Sequence, residues 1–183
     1  MSVATSGLAI MAADLAMPGP AVGLLALALC LYVVMTGLVL WRVVHDPSAP
    51  ELLAPDMWIL MGALAIATLA GDHIHAAGVA GVRPVSVVTW VVATAWIPPL
   101  ILVGLQRIRR RRRLTPGMWW AAVFPLGMYS SATFATALET GWRSLVTVSL
   151  VFLWIALAAW TATLVGMTGK LLTRRRGNPM PSR

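Results

Sequence analysis

The stretch WVVATAWIPPLILVGLQRIRRRRRLTPGMWWAAVFPLGMYSSATFAT, Trp90–Thr136, decides the fold: an apolar run, a turn carrying six arginines, and a second apolar run. Each run is close to the ~17–25 residues that a helix needs to cross a bilayer. Working outward, the same alternation continues, with apolar stretches at 21–41, 57–71, 85–106, 117–138 and 145–169. The chain of 183 residues is 59% hydrophobic and only 11% charged, with a mean hydropathy of +0.82. A soluble domain carries about 25% charged residues. The sequence therefore predicts an all-α polytopic membrane protein of about five transmembrane helices in hairpins, with no separate soluble domain.

Charge placement sets the expected orientation. The net charge is +8. If the helices alternate in direction, the gaps at 42–56 and 107–116 and the tail from 170 share one side. That side holds Arg42, Arg107, Arg109 to Arg113, Lys170, Arg174, Arg175, Arg176 and Arg183, twelve of the 14 basic residues; Arg83 and Arg143 lie on the other. Basic residues concentrate on the cytoplasmic side of membrane proteins. The amino terminus is thus expected outside and the carboxyl terminus in the cytoplasm of a plasma-membrane protein. The arginine run, clamped between two spans, suits anionic headgroups of the lipid bilayer rather than nucleic acid.

Residues 1–20 stand apart. Val3 to Met17 is mostly small and apolar, contains Asp14, is followed by Pro18, Gly19 and Pro20, and is too short to span. It reads as a non-spanning segment, either the end of a helix or a short interfacial helix. A transmembrane domain follows over 21–170, then a basic cytoplasmic tail over 171–183. The second span, MGALAIATLAG, is rich in Gly and Ala, which let helix backbones approach closely or leave volume for a pore. In the third span, Pro98 and Pro99 deprive carbonyls one turn earlier of their donors, which predicts a kink or local unwinding.

Catalytic equipment is sparse, and no enzymatic activity or cofactor is expected. Six acidic residues and three histidines are present, nearly all at span ends. His73 and His75, two apart, are the nearest thing to a metal pair, but two ligands without a third do not make a site. A polar outer loop is the plainer reading. Cys30 lies within an apolar span and reads as a small core residue. The densest functional candidate is FPLGMYSSATFAT, Phe124–Thr136, where Pro125 and Gly127 precede Tyr129, Ser130, Ser131, Thr133 and Thr136. Two accounts fit. It is a kinked, packed helix whose hydroxyls bond back to the backbone, or a pore helix whose aromatic ring closes a lumen and whose hydroxyls face a passing anion.

The residues WWAAVFPLGMYSSAT, Trp119–Thr133, resemble the ninth transmembrane helix of the tellurite-resistance/dicarboxylate transporter family, which includes the plant guard-cell slow anion channels. PELLAPDMWILMGALAIATLAG, Pro50–Gly71, is similar to the loop and seventh helix of bacterial members, and WVVATAWIPPLILVG to their eighth. The resemblance spans roughly 21–170 and implies the C-terminal half of a ten-helix fold, with residues 1–17 a remnant of the fifth helix. It implies an inner ring that includes 57–71 and 117–138, with 21–41, 85–106 and 145–169 outside. It also implies a trimeric homo-oligomer with a pore in each subunit. Phe124 takes the position of the pore gate. Pro125, Gly127, Ser131, Gly62 and Thr68 become pore-lining or helix-bending positions.

The expected function is then a transporter or channel subunit for small anions, C4-dicarboxylate or tellurite-related, incomplete until a second polypeptide supplies the missing helices. The alternative is a non-transporting membrane remnant or a protein that binds other membrane subunits. A protease site or tag placed in the Arg109–Arg113 turn is expected to be accessible only from the cytosolic side of sealed cells. Reaction from outside would reverse the topology.

Overall fold

The computed structural model describes residues 1–45, 54–109 and 116–176, and among these every regular element is helical. The helices are α1 (Ser2–Asp14), α2 (Pro18–His45), α3 (Ala54–Ala76), α4 (Arg83–Arg109), α5 (Pro116–Thr140) and α6 (Arg143–Arg176). A single 3-10 turn, Ala80–Val82, leads into α4. Pro18, Pro55, Pro84 and Pro116 all fall in first turns, where proline's missing N–H costs nothing and its φ is already helical.

Left-handed residues terminate three helices. Gly78 (φ 98°) ends α3 with a pair of bonds, its own N–H to the carbonyl of His75 (2.9 Å) and that of Val79 to Ile74 (3.3 Å). Gly141 (φ 75°) ends α5 by donating to Ala137 at 2.9 Å. The same paired closure ends α1, but there the left-handed position is taken by Ala16 (φ 57°), with N–H bonds from Ala16 to Ala13 and from Met17 to Ala12. A side chain in that region costs about 1–2 kcal/mol.

The helices pack in two rows. α1, α3 and α5 form an inner row in which α3 touches both neighbours and α1 and α5 do not meet. Behind it, α2 lies against α1 and α3, α4 against α3 and α5, and α6 against α5. α3 is the hub. In its most apolar window 61% of residues are buried by protein, against 11% in α2, 17% in the α4 segment and 11% in α6. Those three present Val33, Val88, Leu102 and Trp154 outward, as lipid-facing helices do.

Among the described residues, four helices are long and apolar enough to cross a membrane: α2, α3 from Met57, α4 with its preceding turn, and α6 up to Thr168. The fifth expected span, 117–138, falls in α5. At 25 residues α5 reaches about 37 Å, enough for the ~30 Å hydrocarbon layer. It packs between α3 and α6.

Three expectations are adjusted. α4 runs unbroken through Pro98 and Pro99, so no unwinding occurs there. Cys30 is exposed on α2, because an apolar side chain in a span can satisfy itself with lipid as well as with protein. α6 continues past the expected 145–169 to Arg176, while residues 1–20 hold the 13-residue helix α1 and the first residues of α2. The expected turn residues Arg110–Arg113 and the last tail residues, 177–183, lie outside the described residues.

Glycine sets the spacing of the rows. A Cβ added to Gly62 would stand 3.2 Å from Cβ and Cγ of Pro125, so α3 and α5 are in near-backbone contact there. At Gly71 an added Cβ would collide with Oγ of Ser86 on α4, while at Gly127 it would meet nothing within 4 Å. Gly71→Ala is therefore expected to destabilise the bundle by about 1–3 kcal/mol through overpacking. Gly127→Ala should be neutral or slightly stabilising, since Ala is the better helix former. Thermal unfolding of the two variants in detergent, compared side by side, checks the order.

Candidate functional site

α5 has two unlike faces. Its buried face carries Pro125, Tyr129, Ala132, Thr133 and Thr136. Its open face carries Phe124, Gly127, Ser131, Phe134 and Leu138, spaced three or four apart and so aligned along one stripe. Phe124 is 53% exposed and Phe134 45%. The stripe bears no charge.

The buried hydroxyls of α5 are all occupied, which is why they lie inward. Thr133 Oγ1 accepts a hydrogen bond from Trp90 Nε1 of α4 at 3.1 Å and donates to the carbonyl of Tyr129. The Tyr129 hydroxyl meets that of Thr94 at 2.9 Å, and its ring packs edge-on to Phe152 with centroids 4.7 Å apart. Ser130 and Ser149 exchange bonds, each hydroxyl donating to the other's carbonyl at 2.8 Å. Such interhelical bonds are worth about 0.6 kcal/mol each in a membrane. Only Ser131 presents its hydroxyl outward, bonded back to the carbonyl of Gly127 at 3.3 Å.

Of the residues singled out in the sequence, Phe124, Gly127 and Ser131 share the open stripe. Pro125 is buried and meets Gly62 across the α3–α5 contact. Because Pro125 and Phe124 are adjacent and point in different directions, seating Pro125 on Gly62 turns the Phe124 ring toward the open face. Thr68 lies elsewhere. It is buried toward α4, donating to the carbonyl of Leu64 and meeting Thr89 Oγ1 at 2.9 Å, so it joins two helices rather than facing the stripe. Phe134, on the same stripe as Phe124, is one that spacing could have found.

The histidines have separate partners. His73 Nδ1 is 2.8 Å from Oδ1 of Asp14, which ties the end of α1 to the end of α3. His75 Nδ1 faces the carbonyl of Val79 at 3.4 Å. Among the described residues no three potential ligands gather around a metal position.

A second cluster forms where α3 and α5 end and α4 begins. Glu139 lies past the 117–138 span, with Asp72 and His75 of α3 and Arg83 of α4 around it. The Arg83 guanidinium donates to the Glu139 backbone carbonyl. Burial pushes the Glu139 carboxyl up from its ordinary 4.5 to about 7, and the neighbouring Asp72 carboxyl adds to the rise, while His75 and Arg83 oppose it. These residues come from three helices, and their sequence positions at span ends gave no sign that they converge.

The sequence model for voltage-dependent anion channels (SLAC1) matches residues 1–168. An uncharacterized membrane protein found in two strains of Mycobacterium tuberculosis is 34% identical over 147 residues, covering 75% of this chain and 75% of the relative. An uncharacterized transporter of Methanocaldococcus jannaschii is 22% identical over 146 residues, which are 77% of this chain but 43% of that protein. A second transporter of the same archaeon is also 22% identical, again with 43% of its length covered. No solved structure matches the chain. The family is one of channels and transporters rather than of enzymes. With its all-helical membrane bundle and a match over most of its length, this chain belongs to the voltage-dependent anion channel family.

Proposed function

We propose that the chain is a subunit through which small anions cross the plasma membrane, with the open stripe of α5 as part of the conduction path and Phe124 as its gate. The observation that carries this reading is the uncharged stripe itself. An aromatic ring, a glycine and a hydroxyl lie in line on a helix whose other described hydroxyls are all engaged within the bundle. Hydroxyl donors without fixed charge can solvate an anion without trapping it. C4-dicarboxylates and tellurite-related oxyanions are the substrate classes assigned, as the resemblance to the dicarboxylate and tellurite-resistance transporters implies.

The path requires more protein than one row of three inner helices. α1 and α5 do not touch, so the row has two free ends, and the archaeal transporters carry more than half of their length beyond the matched region. Further helices complete the path, and other copies of this chain or a partner subunit are candidate sources of them. The amino terminus faces outward and the carboxyl terminus the cytoplasm, on the strength of the arginine distribution. A non-transporting subunit that binds other membrane proteins is the alternative, and the same free ends favour it.

Two measurements separate these. Sized in detergent, the protein is expected as a stable multiple of 19.6 kDa or with a copurifying membrane subunit, and that preparation should pass anions in liposomes. A monomer without flux supports the non-transporting reading. In a conducting preparation, Phe124→Ala should raise anion flux severalfold while leaving thermal stability nearly unchanged, because the ring is half exposed. Flux equal to that of the unmodified protein would remove Phe124 from the gate.

A further inference from the structure

Each inner helix is followed by an outer helix that packs back against it, so α1, α3 and α5 run the same way through the bundle. Their row ends in two unlike edges. α1 leaves Leu8 and Met11 open, with Leu15 just past its end, and α5 leaves Phe134 and Leu138 open beyond Phe124. The spacing of three or four aligns each set along one side of its helix. All five side chains are apolar and 45–71% exposed. Gly7, where an added Cβ would meet nothing within 4 Å, flanks the α1 set and lets another backbone come near.

Two contacts set the relative height of these edges. Asp14 meets His73 at 2.8 Å, and Gly62 faces Pro125. Counting from them along parallel helices, at ~1.5 Å per residue, brings Met11 level with Phe134 and Leu15 level with Leu138. Phe124 falls at the height of the first turn of α1.

We propose that a second copy of this chain covers both edges, with α1 of each copy lying against Phe134 and Leu138 of the other. Copies of one chain carry the same arginine pattern and insert the same way round. They are therefore related by rotation about the membrane normal, which preserves height and brings the α5 edge of one copy onto the α1 edge of the next. Two copies make two identical junctions and leave no free edge. Together these junctions cover roughly 1,000 Å² of apolar side chain, the size at which an interface becomes specific. The region matched in the archaeal transporter is 77% of this chain but 43% of that protein, so two copies come close to its length.

The copy number follows from the width of the enclosed space. Six inner helices, at ~9 Å between axes and about 5–6 Å from axis to side-chain surface, leave a bore about 7 Å wide. Nine, from three copies, would leave about 15 Å, more than the Phe124 rings could close. Phe134 is then a contact between copies, while Phe124 stays clear of the junction and faces the bore. That bore is the conduction path proposed above, and to that extent the pair rests on that reading.

Cross-linking of the full chain in native membranes tests the pairing, in a Cys30→Ala background that removes the exposed thiol of α2. Met11→Cys in one copy and Phe134→Cys in a differently tagged, coexpressed copy should be joined by a short thiol-reactive cross-linker. The product should have twice 19.6 kDa and carry both tags, and either variant expressed alone should stay at the single-chain mass. With both substitutions on every chain, the ladder of products should stop at two. A ladder reaching three or more chains, joining by either variant alone, or no joined product would each overturn the pairing. If a cysteine variant fails to insert, size in detergent decides: Phe134→Ala should shift the protein toward single chains, whereas Phe124→Ala should leave it paired. Equal sizes would overturn the assignment of Phe134 to the junction. Flux separates the two readings. A joined pair that passes no anions supports the pairing and removes the conduction path, and a conducting preparation that never joins removes the pairing alone.

Discussion

The near-backbone contact between α3 and α5 at Gly62 and Pro125 is the constraint on which the rest of the bundle depends. In lipid there is little hydrophobic gain from bringing helices together, because the tails are as apolar as the side chains. Association rests on close van der Waals fit, and a glycine opposite a flat proline ring gives the closest fit available. That contact fixes the separation and rotation of the two central inner helices. The inward turn of Tyr129 and Thr133 toward α4 and the reciprocal serine bonds to α6 then follow from α5's orientation. So does the outward turn of Phe124.

The division of labour between rows follows from side-chain size. α3 supplies Gly62, Ala63, Ala65, Ala67, Ala70 and Gly71, and four helices crowd around it. α2, α4 and α6 supply branched and aromatic residues that face outward. Hydroxyls collect where helices meet: Thr68 with Thr89, Thr94 with Tyr129, and Tyr32 with Trp96 Nε1 at 3.0 Å. Each pair removes polar atoms from hydrocarbon while specifying which helix lies beside which.

Much of the architecture was legible in the chain. Helix ends were marked by proline and glycine, spans by their length, and the family by FPLG and its flanking residues. The rotation of each helix was not legible, for a physical reason. A soluble helix shows its buried side as an apolar stripe, but a membrane helix is apolar all round, because both lipid and protein interior accept the same side chains. Thr68 and Ser131 therefore look equivalent in sequence, yet one joins α3 to α4 and the other faces open space. Cys30 was misplaced for the same reason. The convergence of Asp14, Asp72, His73, Arg83 and Glu139 is a property of how helix ends stack, which local spacing does not encode. Arg83 is one of the two basic residues that the charge asymmetry set apart from the other twelve, and it sits beside the buried carboxyl.

The paired serines of α5 and α6 carry one more implication. Each hydroxyl hydrogen is committed to the opposite helix's carbonyl, so this joint offers a solute no hydroxyl donor. The proposed path along α5 therefore runs over the open stripe and finds no hydroxyl donor at this joint.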